Sequence, residues 1–280
     1  MNPLLVYLIS GEAFFPGLAL LALGFGLMPL PEKPWRQWSD AAVVFGLLIL
    51  VITPVSLPYY TFEALLLGCA VGWLLLRKSR RLIRKGWLLL LFPLAMLAVE
   101  LPYYLRPAPV HLTGKLWVIG DSISAGTGFA GEKTWSELGN ADSPDSIVNR
   151  SVGGGTAQSA LATLAKCDPR PGDAILFEIG GNDLLGGVSG LEFGRRLDAL
   201  LARAAAYKVP LVMFELPLPP LCNRYGEAQR RLARKYHVSL IPRRDFAAVF
   251  KGRDSTTDGL HLSNAGQRKM YEVVRNILYR

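Results

Sequence analysis

The 280-residue chain has room for one large domain or two units, and its 51% hydrophobic share is unevenly placed: up to about residue 105 it is mostly Leu, Val, Ala, Phe and Gly, and beyond that point the composition is an ordinary mixture. The formal charge of +9 has six of its basic residues, Arg77, Lys78, Arg80, Arg81, Arg84 and Lys85, packed into one short run rather than interleaved with aromatics along a face, which excludes a nucleic-acid stripe. Cys69, Cys167 and Cys222 fall at no metal or redox spacing, so idle thiols are expected; a Cys167–Cys222 bridge would have to join opposite ends of a sheet.

Two charge-free runs, Ala13 to Pro31 and Ala41 to Phe62, are each close to the ~20 residues that a membrane-spanning helix needs. Tyr59 to Leu76 and Gly86 to Leu105 are read as two more spans, with Glu63 and Glu100 near their ends. Helices this poor in polar positions have no wet face for a water-soluble bundle. The basic run at 77–85 and the loop carrying Lys33 and Arg36 mark the cytoplasmic side, and the turn from Thr53 to Thr61 has no basic residue. The fourth helix then delivers everything after Leu105 to the opposite side. The expectation is a multi-pass protein of the inner (cytoplasmic) membrane, with about four helices over 1–106, a linker over 107–114 and an extracytoplasmic domain over 115–280 (periplasmic in a Gram-negative cell). Tyr103 and Tyr104 suit an interfacial belt, and His111 falls in the linker as a surface residue.

From Lys115 onward short apolar runs alternate with longer amphipathic ones. Strands are expected at Leu116–Ile119, Ile147–Val148, Ala174–Ile179, Leu211–Leu216 and Val238–Ile241. Helices are expected at Thr156–Lys166, Leu191–Tyr207, Tyr225–Tyr236 and Asn264–Leu278. This alternation implies an α/β domain, a parallel sheet covered on both faces. Polar clusters come after the first three strands: Gly120-Asp121-Ser122, Asn149 to Thr156, and Gly180-Gly181-Asn182-Asp183. A fourth, Thr257 to His261, precedes the last helix. Right-handed crossovers carry the ends of parallel strands to one edge, so the first three should converge.

Gly-Asp-Ser alone is commonly a turn, but residues farther along the chain give Ser122 a chemical context. A serine hydroxyl needs a base, and His is the usual one near neutral pH. His237 sits after a basic helix end and reads as a helix-terminal or packing residue. His261 has Asp258 three residues earlier, a spacing that lets a carboxylate hold one ring nitrogen while the other faces the serine. No third ligand completes a metal site, and no cofactor motif is present: the Gly153–Gly155 turn lacks the Lys-Ser/Thr pair of a P-loop. Attack on an ester develops an oxyanion, for which the Ser122 N–H, the Gly154 N–H and the Asn182 side-chain amide are candidate donors.

Together these blocks resemble the SGNH (GDSL) hydrolase superfamily, most closely its bacterial arylesterase, thioesterase and lysophospholipase branch, over about residues 115–280. The resemblance implies a flavodoxin-like three-layer α/β/α domain with Ser122 as nucleophile, His261 as base and Asp258 as its partner. Ser122, Gly154 and Asn182 would form the oxyanion hole. Gly153 and Gly155 are alternative donors, though counting from Asn149 favours Gly154. Asp121 and Asp183 are expected to brace loops. Small enzymes of this kind usually lack anything like residues 1–110.

The expected activity is that of a membrane-anchored serine esterase or acylhydrolase of carboxylic esters or thioesters. Its substrate would be an acylated small molecule, lipid or glycan, beside membrane lipids and with no nucleic acid. Leu184, Leu185 and the stretch Leu216–Leu221 either border the mouth as acyl-chain walls or simply cover the sheet edge. An O-acyltransferase acting on an envelope glycan keeps the same triad, and a non-catalytic envelope binding or scaffold protein is the third reading. Four helices exceed what a tether needs, which points to a membrane-protein partner or a lipid access path.

Overall fold

The computed structural model describes residues 1–55, 59–78, 85–144 and 146–278. Arg80, Arg81 and Arg84 of the basic run and the middle of the Thr53–Thr61 turn lie outside these.

The second half is built on five parallel strands: β1 (Leu116–Gly120), β2 (Ile147–Asn149), β3 (Ala174–Glu178), β4 (Leu211–Phe214) and β5 (Ser239–Ile241). Their order is β2-β1-β3-β4-β5, the flavodoxin-like arrangement. Side chains alternate between two cores. Ile119, Ile175, Phe177, Leu211 and Met213 face one. Leu116, Val118, Leu176, Val212 and Phe214 face the other.

The helices are numbered in chain order through both halves. The first ten are α1 (Pro3–Ile9), α2 (Phe14–Leu27), α3 (Lys33–Ile52), α4 (Tyr59–Arg77), α5 (Leu91–Glu100), α6 (Ser122–Ala125), α7 (Trp135–Asp142), α8 (Ala157–Leu164), α9 (Gly181–Leu185) and α10 (Gly190–Ala205). After them come α11 (Asn223–Lys235), α12 (Arg243–Val249) and α13 (Asn264–Leu278). Helices α8, α10 and α11 cover the first face of the sheet through Leu164, Leu197 and Leu232. Helices α7, α12 and α13 cover the second through Trp135, Phe246 and Met270. All five expected strands and four expected helices form, with ends shifted by at most two residues. Four helices here are additional to those expected: the short α6 and α9 at strand ends, and α7 and α12. α7 is opened by a Thr134/Glu137 capping box, and α12 comes after Pro242, which stops β5.

Among the described residues the regular elements of the first half are all helices, packed around their own apolar core. α2 and α3 approach closely at small residues: a Cβ on Gly46 would meet the Gly17 carbonyl at 2.9 Å, and Ser39 donates to the Gly24 carbonyl at 2.7 Å. The membrane reading is met in part. Lys33–Ile52 and Gly86–Tyr104 are long and apolar enough to cross a membrane, and α1 with α2 makes a further pair bent by 73°. The second span is displaced from Ala41–Phe62: Pro34 in its first turn opens α3 eight residues earlier, and the chain leaves the helix at Thr53-Pro54. The segment before α2 was not expected to be ordered as a helix, yet Asn2 caps α1 by accepting from the Leu4 N–H at 2.9 Å.

The halves meet through polar groups. Arg106 makes a two-pronged pair with the buried Asp245 of α12 at 2.9 and 3.0 Å, and within the helical half Tyr104 donates to the Gly11 carbonyl at 2.5 Å. Arg243 reaches both the Pro54 carbonyl and Glu215. α1 packs on α12, and the Leu218 N–H, in the loop after β4, donates to the Ile9 carbonyl at 3.1 Å.

Candidate active site

Strand order reverses between β1 and β3, and the crevice for ligands in such sheets lies beyond the strand ends at that reversal. Ser122 stands immediately past β1 as the first residue of α6, and Asn182 stands past β3 in α9. The Asp121 side chain caps α6 by accepting from the Ile123 N–H at 2.9 Å. The Ser122 N–H heads that short helix and has no acceptor among the described residues. Ser122 Oγ likewise makes no hydrogen bond to a described residue, so its proton is not committed elsewhere, and its side chain is half-buried.

The second cluster is tied to the first. Asn149 Nδ2 donates to the Ser124 carbonyl at 2.7 Å, and the Val152 N–H donates to the Gly120 carbonyl at 3.1 Å. The glycine run now divides by role. The Gly155 N–H closes the turn onto the Val152 carbonyl at 2.9 Å, and a Cβ there would meet that oxygen at 2.9 Å and the Gly120 oxygen at 3.0 Å. Gly154 has φ +74°, a conformation L side chains avoid, and is exposed with its N–H unclaimed among the described residues. This excludes Gly155 as a free donor.

The third cluster joins both. Gly180, with φ +112°, turns the chain from β3 into α9. Asn182 Nδ2 donates to Asp121 Oδ2 at 3.0 Å and to the Gly155 carbonyl at 3.2 Å. Asp183 is fully buried and accepts from the Ala157 N–H at 2.8 Å, bracing the start of α8. Both aspartates thus hold loops, as expected.

Asp258 and His261 share one loop. Asp258 Oδ1 accepts from the Leu260 and His261 N–H groups at 2.9 and 2.8 Å, and Oδ2 accepts from His261 Nδ1 at 2.6 Å. These bonds, the one from the His261 ring first, hold the Asp258 carboxyl well below the usual carboxylate range. Burial raises the Asp121 carboxyl above its ordinary range, partly offset by its hydrogen bonds and by the His261 charge. Leu260, on the Asp258–His261 loop, lines one cavity with Ser122 and Asn182, so all four clusters lie at one edge. His237 takes φ +54° just past α11, and Cys69, Cys167 and Cys222 are unpaired thiols. Among the described residues no cluster of His, Cys, Asp or Glu is arranged to hold a metal.

One participant was overlooked. Glu178 is the last residue of β3, inside an apolar run, and it is fully buried against Asp121 and Ser124, whose hydroxyl donates to it at 3.0 Å. Burial, and then the Asp121 charge, raise its carboxyl well above the ordinary range. A lone acid within Ala174–Ile179 was the signal available in the sequence.

Ser122, Asn182 and Glu178 open onto a cavity of ≈ 610 Å³ with largely apolar walls, including Leu184, Leu185, Leu216, Phe246, Phe250 and Leu260. Of the leucines expected at the mouth, Leu218 is instead fully buried in the core and Leu221 points to solvent.

Residues 118–269, more than half of the chain, match the model of the GDSL-like Lipase/Acylhydrolase family. The chain belongs to this family. It is a serine hydrolase acting on ester bonds. Among similar proteins, the "Thioesterase 1/protease 1/lysophospholipase L1" of Escherichia coli (strain K12) is 31% identical over 160 residues, covering 54% of this chain and 77% of that one. The "Esterase TesA" of Pseudomonas aeruginosa is 30% identical over 173 residues, covering 57% and 85%. A solved structure of TesA superposes with a TM-score of 0.51 at 27% identity, over 59% of this chain and 98% of that chain. The helical half of this GDSL-family hydrolase lies before the matched residues.

Proposed function

We propose that the chain is a membrane-anchored esterase that cleaves acyl esters or thioesters through an acyl-enzyme on Ser122. The observation that carries this reading is the coincidence, at one sheet edge, of an uncommitted serine hydroxyl, an Asp-held histidine and an apolar cavity opening onto both Ser122 and Asn182.

In the mechanism that this geometry supports, Asp258 fixes His261 with its proton on Nδ1, leaving Nε2 to take the Ser122 proton. Ser122 Oγ then bonds to the acyl carbon, and the carbonyl π electrons move to its oxygen. The Ser122 N–H, the Gly154 N–H and the Asn182 amide meet that oxyanion. The amide has only two N–H groups, both engaged in the structure, so it exchanges its longer bond, to the Gly155 carbonyl, for the oxyanion. His261 and Ser122 are not hydrogen-bonded to each other, and their contact tightens as substrate enters. Collapse expels the alcohol or thiol, which takes the proton from His261, and water repeats the cycle on the acyl-enzyme.

In this reading the helical half is the anchor, and the basic residues Arg77, Lys78 and Lys85 support a cytoplasmic side opposite the catalytic half, by the bias of basic residues towards the cytoplasm. A membrane-impermeant fluorophosphonate applied to intact cells tests nucleophile and topology together. Labelling of the wild type but not of Ser122→Ala is expected. Labelling only after lysis would overturn the topology, and equal labelling or ester turnover in Ser122→Ala would overturn the nucleophile.

A further inference from the structure

The cavity above Ser122 is not walled by the family-matched residues alone. Leu5 and Ile9 of α1 also line it. They are four residues apart, hence on one side of the helix. Val6, on another side, is buried, and α1 is fixed in place by its packing on α12 and by the bond from the Leu218 N–H to the Ile9 carbonyl. Leu5 is half exposed although it borders an apolar cavity, so it has contact area to offer an occupant.

We propose that α1 is a substrate-selecting wall, with Leu5 and Ile9 setting the acyl-chain length that this hydrolase accepts. This rests on the esterase reading above and adds a determinant that lies more than a hundred residues before the nucleophile and outside the family match. The occupant is the alkyl part of an acyl ester. The cavity has the size of sites that take such ligands, roughly 300–1,000 Å³, and its walls are mainly aliphatic and aromatic, with Asp121, Ser122, Glu178 and Asn182 as the polar groups at the sheet edge. An acetyl group, seated at that polar end, has no atoms to bring to Leu5 or Ile9. A medium chain does. Selection arises because a mismatch of even one methylene in an apolar pocket changes turnover about tenfold or more.

The test uses the full chain in detergent micelles and p-nitrophenyl esters from acetyl to palmitoyl. The quantity read is the ratio of kcat/KM for the decanoyl ester to that for the acetyl ester. Ile9→Trp and Leu5→Trp, which fill the cavity, should lower this ratio at least about tenfold. Leu5→Ala and Ile9→Ala, which enlarge it, should move the preferred chain to greater length. Leu4→Ala, at an exposed position of α1 that does not line the cavity, should leave the ratio as in the wild type. A ratio that stays within about twofold in all four cavity variants overturns the proposal, as does a loss of acetyl and decanoyl turnover in equal proportion, which would make α1 a purely structural element. Failure of the esterase reading looks different: the wild type would then hydrolyse no ester of any length and Ser122 would take no fluorophosphonate, and this inference would fall with it.

Discussion

Glu100, the last residue of α5, and Arg230, within α11, form a two-pronged ion pair at 2.7 and 2.8 Å, with both side chains almost wholly buried. Arg230 also binds Glu215 at 2.7 Å and lies 3.9 Å over the Tyr103 ring. One guanidinium thus bridges an acid from the helical half and an acid from the catalytic half, and Arg243, also on Glu215, supplies the second positive charge. Burial alone would raise the Glu215 carboxyl, but Arg230 and Arg243 hold it below its ordinary value. Arg230→Ala leaves the buried Glu100 without its cation and Glu215 with Arg243 alone, and should destabilise the chain by about 3–5 kcal/mol. Thermal unfolding in micelles checks this, and an unchanged Tm would show that the pair is screened by water.

In the proposed mechanism Asn182→Ala removes a side-chain donor to the oxyanion while keeping Ser122, His261 and Asp258. A fall in kcat of about 10²- to 10³-fold is expected with little change in KM. Steady-state kinetics on a single ester decides it. A change confined to KM would assign Asn182 to ground-state binding instead.

Glu178 gives a pH dependence whose sign is fixed by its raised carboxyl. An unfolded glutamate releases its proton near ~4.3, whereas the folded one keeps it to higher pH. The stabilisation is therefore complete below that value and is lost as pH rises through the folded one. Asp121, also raised, acts in the same direction. Glu178→Gln keeps a neutral group of the same shape, so as pH rises above about 5 its Tm should decline less than that of the wild type. Parallel Tm curves would contradict the assignment.

Gly180 has no room for a side chain: a Cβ would lie 2.8 Å from the Phe193 ring and 2.9 Å from Leu216, at φ +112°. Gly180→Ala should cost about 1–3 kcal/mol of stability and misplace Asn182, two residues on, lowering kcat as well. Calorimetry and turnover measured on the same preparation check both parts.

Much of the catalytic half is legible in the sequence because its signals are local. Leu116–Ile119 stops at a glycine, Asn149 to Thr156 turns on glycines, and Asp258 lies within ring reach of His261. What escapes depends on long-range packing. Glu178 matters only because β3 lies beside β1, which sets its carboxyl against Asp121. Arg230 and Arg243 look like ordinary members of basic stretches until Glu100 and Pro54 arrive from the other half. The second span begins earlier than its charge-free run because Lys33 and Arg36, which look like loop residues, lie in the first turn of α3. The role of α1 was least visible: Asn2-Pro3 announces a helix start, but nothing local tells which surface Leu5 and Ile9 will meet.

The joint between α1 and α2 makes the two halves inseparable in practice. α1 is attached by its peptide bonds to the bundle and by its packing to the hydrolase. Severing the chain in the 107–114 linker would leave the Leu218 N–H without its carbonyl and Asp245 without Arg106. It would also breach the cavity where Leu5 and Ile9 stood. A water-soluble fragment carrying every catalytic side chain would then be a different enzyme, with an open trough in place of a bounded chamber.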